Sequence, residues 1–254
     1  MGQLDNRTAL ITGGGTGIGF SIARRFHAEG AAVVICGRRE EVVADAARKI
    51  SSRGERVLAV RADINSEAEV AALVSRVQEW RGRLDILVNS AGAMRVNKPP
   101  EATSLEEWRS VIDTNITGTF LCCREAGKPM IRQKRGWIVN IGSMSGMVVN
   151  RYFHGGSYEV SKCALHMLTK VLAVEWAPYN INVNAVAPGY YDTQPNRDFF
   201  AERKDLYDKV LDLIPLRCLG DIEQLASLVL TLVTDTTAYM TGTVIPINGG
   251  YTIY

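Results

Sequence analysis

No stretch of this chain approaches the ~20 consecutive apolar residues that a membrane-spanning helix needs. The opening Met1-Gly-Gln-Leu-Asp-Asn-Arg7 also lacks the apolar core of a secretory signal. Net charge is small: 29 basic and 27 acidic side chains leave +2. That excludes a nucleic-acid or membrane-surface binder driven by bulk charge. Cysteines are few and odd in number (Cys36, Cys122, Cys123, Cys163 and Cys218), and none form a Cys-x-x-Cys pair. This fits reduced thiols in a cytoplasmic protein rather than a disulfide framework. Three histidines without His-Glu-x-x-His leave no recognisable metal site. Linkers, repeats and low-complexity tracts are missing too, so residues 1–254 are read as one domain.

What is present is an alternation of short apolar runs and helical stretches. Strands are expected at Thr8–Thr12, Ala31–Cys36, Arg56–Val60, Leu84–Val88, Gly136–Ile141, Ile181–Val186 and Thr243–Ile247. Helices are expected at Phe20–Glu29, Glu40–Ser52, Ser66–Trp80, Leu105–Gln133, Ser157–Ala177, Leu206–Ile214 and Ile222–Val233. Ser66 with Glu69 three residues on is an N-cap signal. Gly127 and Pro129 are expected to bend or fray the end of the fourth helix. Strands that are apolar throughout are buried on both faces, and strands separated by helices pair in parallel. The expected fold class is α/β: a doubly wound parallel sheet of about seven strands with helices on both faces.

In such a sheet, ligands bind beyond the carboxyl ends of the strands. The first strand runs into Thr12-Gly13-Gly14-Gly15-Thr16-Gly17-Ile18-Gly19. Glycines let backbone N–H groups approach a pyrophosphate at a helix N-terminus. The spacing Gly-x-x-x-Gly-x-Gly is not the strict Gly-x-Gly-x-x-Gly fingerprint, and the absence of Gly-Lys-Ser/Thr excludes a nucleotide-hydrolysing P-loop. The competing reading is a plain tight turn. After the second strand, where an NAD site presents a carboxylate to the ribose, stand Gly37-Arg38-Arg39. Guanidinium groups pair with a 2′-phosphate, so NADP(H) is expected over NAD(H). The alternative is that both arginines are solvated loop charges.

Tyr158-Glu-Val-Ser-Lys162 places a phenol and an ammonium on one helix face. The positive charge is expected to draw the tyrosine pKa down toward neutrality, which suits acid–base work on an alcohol/carbonyl pair. Together with the glycine cluster, Asn89-Ser-Ala-Gly92, Asn115, Ser143 and Pro188-Gly189, the chain resembles the short-chain dehydrogenase/reductase family from about Arg7 to Gly250. The resemblance implies a Rossmann-type fold and an NADP(H)-dependent oxidoreductase. It implies that Tyr158 transfers the proton, that Lys162 tunes Tyr158 and binds the nicotinamide ribose, and that Ser143 orients the substrate oxygen. Asn115 would support a water relay to Lys162. Asp63 and Ile64 would meet the adenine, with capping a turn as the rival role for Asp63. Asn89, Ala91 and Gly92 would line the cofactor. Pro188, Gly189 and Thr193 would position the nicotinamide carboxamide.

The segment between Ser143 and Tyr158 and the stretch after Gly189 are expected to flank the substrate, the latter as a lid over about 190–215. Ser145, Asn150, His154, Tyr190 and Tyr191 are the candidate substrate contacts, each with a surface role as its rival. The segment Ser143–Arg151 and the ending Asn248-Gly-Gly-Tyr-Thr-Ile-Tyr254 resemble the polyol and sugar dehydrogenase branch. Tyr152-Phe153-His154 departs from that branch. A 3-oxoacyl-(acyl-carrier-protein) reductase or another ketone reductase stands as the alternative, and a catalytically inert dinucleotide-binding sensor or scaffold as the non-enzyme one. Family likeness implies a homotetramer, to which Trp108, Leu121, Cys122, Met167, Leu168 and Val171 would contribute unless they are core. No nucleic-acid or membrane partner is expected.

Overall fold

The computed structural model describes residues 2–253; Met1 and Tyr254 lie outside it. Seven parallel strands form one sheet in the order β3-β2-β1-β4-β5-β6-β7. They are β1 (Thr8–Thr12), β2 (Ala32–Gly37), β3 (Val57–Arg61), β4 (Ile86–Asn89), β5 (Gly136–Ile141), β6 (Ile181–Pro188) and β7 (Val244–Ile247). The order reverses between β1 and β4, which opens a crevice at their carboxyl ends. The expected parallel sheet and strand count are therefore observed.

Period-two alternation sorts the strand residues between two cores. On one face Ala9, Ile11, Val33, Ile35, Val88 and Val139 pack with α1 (Gly17–Ala28), α2 (Glu40–Ile50) and α9 (Ile222–Leu232). On the other, Leu10, Val34, Leu87, Ile138 and Val183 pack with α3 (Glu67–Arg81), α5 (Thr119–Gln133) and α6 (Ser157–Trp176). Phe26 and Met130 anchor the two faces from α1 and α5, each fully buried. A third, smaller cluster joins α7 (Gln194–Glu202) and α8 (Lys204–Asp212) through Phe200, Leu206, Val210 and Ile214.

Element boundaries follow pairing rather than apolar content. β2, β3 and β4 each end one residue beyond expectation, because Gly37 pairs with Arg61 and Thr12 with Asn89. β6 extends to Pro188, which pairs with Ile247 at the edge of the sheet. Ser66 caps α3 as expected, its hydroxyl accepting from the Glu69 N–H at 3.3 Å. The expected single helix Leu105–Gln133 is instead α4 (Leu105–Ile112), a π-helical turn at Asp113–Gly118, and α5. Gly127 and Pro129 do not end α5 early. A Cβ on Gly127 would sit 2.9 Å from the Trp176 ring, so the glycine admits α6 rather than loosening α5. Helix α7 was not anticipated, since its nine residues carry few apolar positions at helical spacing.

Candidate active site

The phosphate-binding candidates sit where β1 turns into α1. Gly13 has φ +65°, and a Cβ there would lie 2.8 Å from the Ala91 backbone. The turn is thus pressed against the β4 loop, and only glycine fits. A Cβ on Gly19 would meet the Gly13 carbonyl oxygen at 2.5 Å, which keeps α1 close under the loop. Gly15, Thr16, Gly17 and Ile18 line the open side of this turn, with Thr16 and Gly17 exposed. Such a cradle of bare backbone at a helix N-terminus fits a pyrophosphate. Thr12 locks the two loops together, its hydroxyl oxygen accepting from the Ser90 and Ala91 N–H groups at 3.1 Å each. Sequence reasoning missed that role of Thr12.

Arg38 and Arg39 are exposed at the carboxyl end of β2, and neither side chain has an ion-pair or hydrogen-bond partner among the described residues. Glu40 and Glu41 open α2 beyond them. Asp63 has one carboxylate oxygen in a turn, accepting from the Asn65 N–H at 3.0 Å. Ile64 is buried and packs against Gly118, so its side chain belongs to the core. Asn89 differs from expectation as well. Its side chain is buried and donates to Asn140 Oδ1 at 2.8 Å, so only its backbone faces the crevice. Ala91 and Gly92 remain on the crevice side, half-buried and exposed. Pro188 and Gly189 end β6; a Cβ on Gly189 would sit 2.8 Å from Asn248. Thr193 caps α7, accepting from the Asn196 N–H.

Ser143, Tyr158, Lys162 and Asn115 converge beyond β4 and β5. Ser143 follows β5, is buried, and its hydroxyl accepts from the Ser145 N–H at 3.1 Å. Tyr158 and Lys162 lie one turn apart on α6, with Lys162 Nζ 5.7 Å from the Tyr158 ring centroid. Lys162 is buried and donates to the Ile141 carbonyl at 3.0 Å. Asn115 sits in the π-helical turn, a feature common at functional sites. Its Oδ1 accepts from the Ala93 N–H at 2.7 Å, while its Nδ2 donates to the Ala93 carbonyl and to Ser161 Oγ. The Asn115 side chain therefore clamps the loop after β4 instead of facing open space.

Electrostatics here depart from expectation. Burial pushes the Tyr158 phenol above its ordinary value. Its hydrogen-bonding neighbour Ser143 and the Arg95 guanidinium pull it back, and Glu159 opposes them. Lys162 does not bring it toward neutrality, because desolvation acts on the ammonium itself and lowers it to about 8. Its nearest partner is the Ile141 carbonyl rather than the phenol. His166, one further turn along α6, is lowered to about 4 by burial and by Lys162, and is neutral near pH 7.

The expected substrate contacts divide. Ser145 and Asn150 are buried in one network: Asn150 Nδ2 donates to Ser145 Oγ at 2.7 Å and to Glu159 Oε1 at 2.8 Å. Tyr190 donates from its hydroxyl to Asn150 Oδ1 at 3.2 Å and packs edge-on against Phe200 and Tyr251. Tyr191 is buried, donates to the Ile247 carbonyl and fills the space beside Gly220, so it is a structural anchor. His154 is exposed, its backbone N–H held by Asn97. Arg95 and Glu159, which join this network, were not singled out from the sequence. The segment after Gly92 has no motif spacing to mark Arg95, and Glu159 stands inside the Tyr158–Lys162 motif on a position the motif leaves open.

The family model described as enoyl-(acyl carrier protein) reductase matches residues 13–252. The chain belongs to the short-chain dehydrogenase/reductase family. It is 38% identical to the galactitol 2-dehydrogenase (L-tagatose-forming) of Cereibacter sphaeroides, over 99% of this chain and 97% of that protein. It is 35% identical to the 3-oxoacyl-[acyl-carrier-protein] reductase of Synechocystis sp., over the full length of both. The crystal structure described as the Pseudomonas aeruginosa RhlG/NADP active-site complex superposes with a TM-score of 0.87 at 36% identity, covering 98% of this chain and 97% of that one. As a member of this family the chain is an oxidoreductase acting on alcohols or ketones with a nicotinamide dinucleotide. No helix among the described residues is long and apolar enough to cross a membrane. No cluster of ligating side chains among them could hold a metal ion.

A lysine that titrates near 8 when folded and near 10.5 when unfolded binds fewer protons in the native state between those values. Its burial costs about 3 kcal/mol near pH 7, and stability should rise with pH across about 8–10.5. Lys162→Met is accordingly expected to melt several degrees higher than wild type at pH 7. Thermal melts from pH 7 to pH 10 should show that gap closing. A gap that stays constant or widens would remove burial of the ammonium as its cause.

Proposed function

We propose that the chain is an NADP(H)-dependent oxidoreductase that interconverts a secondary alcohol and a ketone, with a polyol or ketose sugar as substrate. The observation that carries the cofactor choice is the pair of exposed guanidinium groups, Arg38 and Arg39, at the end of β2 where no carboxylate competes. Two fixed-charge forks there suit a 2′-phosphate. The residues that would hold the dinucleotide are the Gly13–Gly19 turn for the pyrophosphate and Asp63 and Ile64 beside the adenine. The Ala91–Gly92 loop and Pro188, Gly189 and Thr193 would hold the nicotinamide end. When bound, the dinucleotide supplies or accepts the hydride at the substrate carbon.

The protein's own part is alignment and proton handling. In reduction the Tyr158 hydroxyl gives its proton to the substrate oxygen; in oxidation the same oxygen takes it back. Ser143 donates a hydrogen bond to that substrate oxygen and to the phenol in turn. Lys162, desolvated and anchored on Ile141, holds its charge close to the Tyr158 ring. A phenol held high by burial is a weak acid, so this fixed ammonium matters when the proton leaves. Asn115 positions the Gly92–Ala93 loop rather than touching substrate. The 190–215 segment, carried by α7 and α8, acts as the lid.

Likeness to the galactitol dehydrogenase and the polar network around Asn150 favour a hydroxylated substrate. The aromatic lid surface of Tyr190, Phe199 and Phe200, together with the Synechocystis relative, favours a 3-oxoacyl thioester as the second reading. A cytoplasmic homotetramer completes the proposal. Val160, Met167, Val171 and Val174 leave α6 with an exposed apolar face, and Trp108 adds to it. Leu121 and Cys122 are buried, and Leu168 packs against the core, so those three would not contribute to an interface. The C-terminal segment is committed within the chain as far as β7, which pairs with β6.

Tyr158→Phe is expected to lower turnover by about 10²–10⁴-fold, the usual worth of a general acid, while cofactor titration stays unchanged. Equal turnover would remove the mechanism; no cofactor consumption by wild type across a carbonyl panel would leave a dinucleotide-binding sensor or scaffold. Titration with NADP and NAD should show NADP favoured, and Arg38→Ala should cost at least tenfold in NADP affinity alone. Equal binding of the two would make both arginines solvated charges. Sedimentation velocity should give a tetramer, and a monomer would overturn that part.

A further inference from the structure

Tyr158 has a cationic neighbour besides Lys162. The guanidinium of Arg95 lies 5.2 Å from the Tyr158 ring centroid and 4.9 Å from that of Phe153. It is held from behind. Nη2 meets Glu159 Oε1 at 3.0 Å and donates to Ser145 Oγ at 3.2 Å. Asn150 braces the same two acceptors. Both charged side chains are largely buried, Arg95 at 16% exposure and Glu159 at 10%.

The hydrogen bonds of this cluster do not close. Among the described residues Arg95 Nε and Nη1 donate to no protein acceptor, and neither is shut away from solvent. Glu159 Oε2 is buried with no donor. It rests against the bare Cα of Gly155, where a Cβ would come within 2.1 Å of it. An orphaned carboxylate oxygen is costly in the interior, and its presence in a folded protein calls for a partner. One ion pair thus carries both unused donors and an unused acceptor, with its guanidinium beside the ring of the reacting phenol. Glu159 also cancels the Arg95 charge, so an anion arriving at the guanidinium would face the carboxylate. The neutral group that both accepts and donates is a hydroxyl. A thioester carbonyl would satisfy the guanidinium and leave Oε2 empty.

We infer that Arg95 and Glu159 form a specificity pair that binds a second, hydroxyl oxygen of the substrate, beyond the one that reacts. Arg95 donates to that hydroxyl, and its hydrogen turns to Glu159. Ser145 and Asn150 are positioning residues for the pair. This rests on the polyol reading above and narrows it to substrates carrying a free hydroxyl near the carbonyl. Sites built to hydrogen-bond a hydroxyl discriminate strongly against analogues lacking it, because their own polar groups are then left unpaired.

The test compares reduction of a ketohexose panel, 2-hexanone and acetoacetyl-coenzyme A, with whichever nicotinamide cofactor binds more tightly. Arg95→Met leaves Glu159 unpaired and risks misfolding, so the double variant Arg95→Gln/Glu159→Gln, which buries no charge, is measured beside it, with a thermal melt for each. Wild type should prefer a ketohexose to 2-hexanone in kcat/KM. The double variant should lose at least tenfold of that preference, mostly through KM. A ratio within twofold of wild type in a folded double variant would overturn the pair while leaving the polyol reading intact. Turnover of acetoacetyl-coenzyme A with no ketohexose reduced would overturn both.

Discussion

Polar side chains tie the carboxyl ends of three neighbouring strands across the sheet. Thr12 on β1 is in register with Asn89 on β4, and Asn89 with Asn140 on β5. Thr12 receives the two N–H groups of the β4 loop; Asn89 donates to Asn140; Asn140 donates to Thr169 on α6 at 2.9 Å. All four are buried, so none of these bonds can be replaced by water. Leaving one member unpaired costs on the order of 1–3 kcal/mol. The chain of bonds sets the glycine turn, the Ala91–Gly92 loop, the Ser143 loop and helix α6 at fixed spacing. Ser143, Tyr158 and Lys162 each hang from one of those four, and Asn115 clamps the loop after Gly92.

Desolvation gives the site its electrical character. Lys162 is lowered to about 8, Tyr158 is pushed up and His166 is forced neutral, all chiefly by burial. In such surroundings a fixed charge acts over several ångströms with little screening. The ammonium of Lys162 and the guanidinium of Arg95 flank the same ring at 5.7 and 5.2 Å, one anchored on a strand carbonyl and the other on a carboxylate. The phenol ring therefore has two cationic neighbours, each kept in place by its own partner.

The segment proposed as a lid is built on a different principle. Its cluster of Phe200, Leu206, Val210 and Ile214 is separate from the two cores that clamp the sheet. Aromatic rings from three chain segments, Phe153, Tyr190 and Tyr251 among them, meet across it. Small satellite cores open at lower free-energy cost than the main one, which suits a segment that must admit a substrate.

Local pattern determined the parallel sheet, the strand count, most helices, the glycine turn and the Tyr158–Lys162 pairing on one helix face. Each depends on nearest-neighbour backbone preference or on a fixed helical or strand period, which the amino-acid order carries directly. Only the tertiary structure decided which way side chains at those positions turn. Asn89 turns into the core, Tyr191 anchors the chain after β6 on the Ile247 carbonyl, Asn115 clamps a loop from within a π-helical turn, and Arg95 meets Glu159, 64 positions along the chain. It also set burial, rather than Lys162, as the main influence on Tyr158, because the outcome depends on how much water each group loses and which acceptor lies nearest. Those are properties of packed space, and no period in the sequence encodes them.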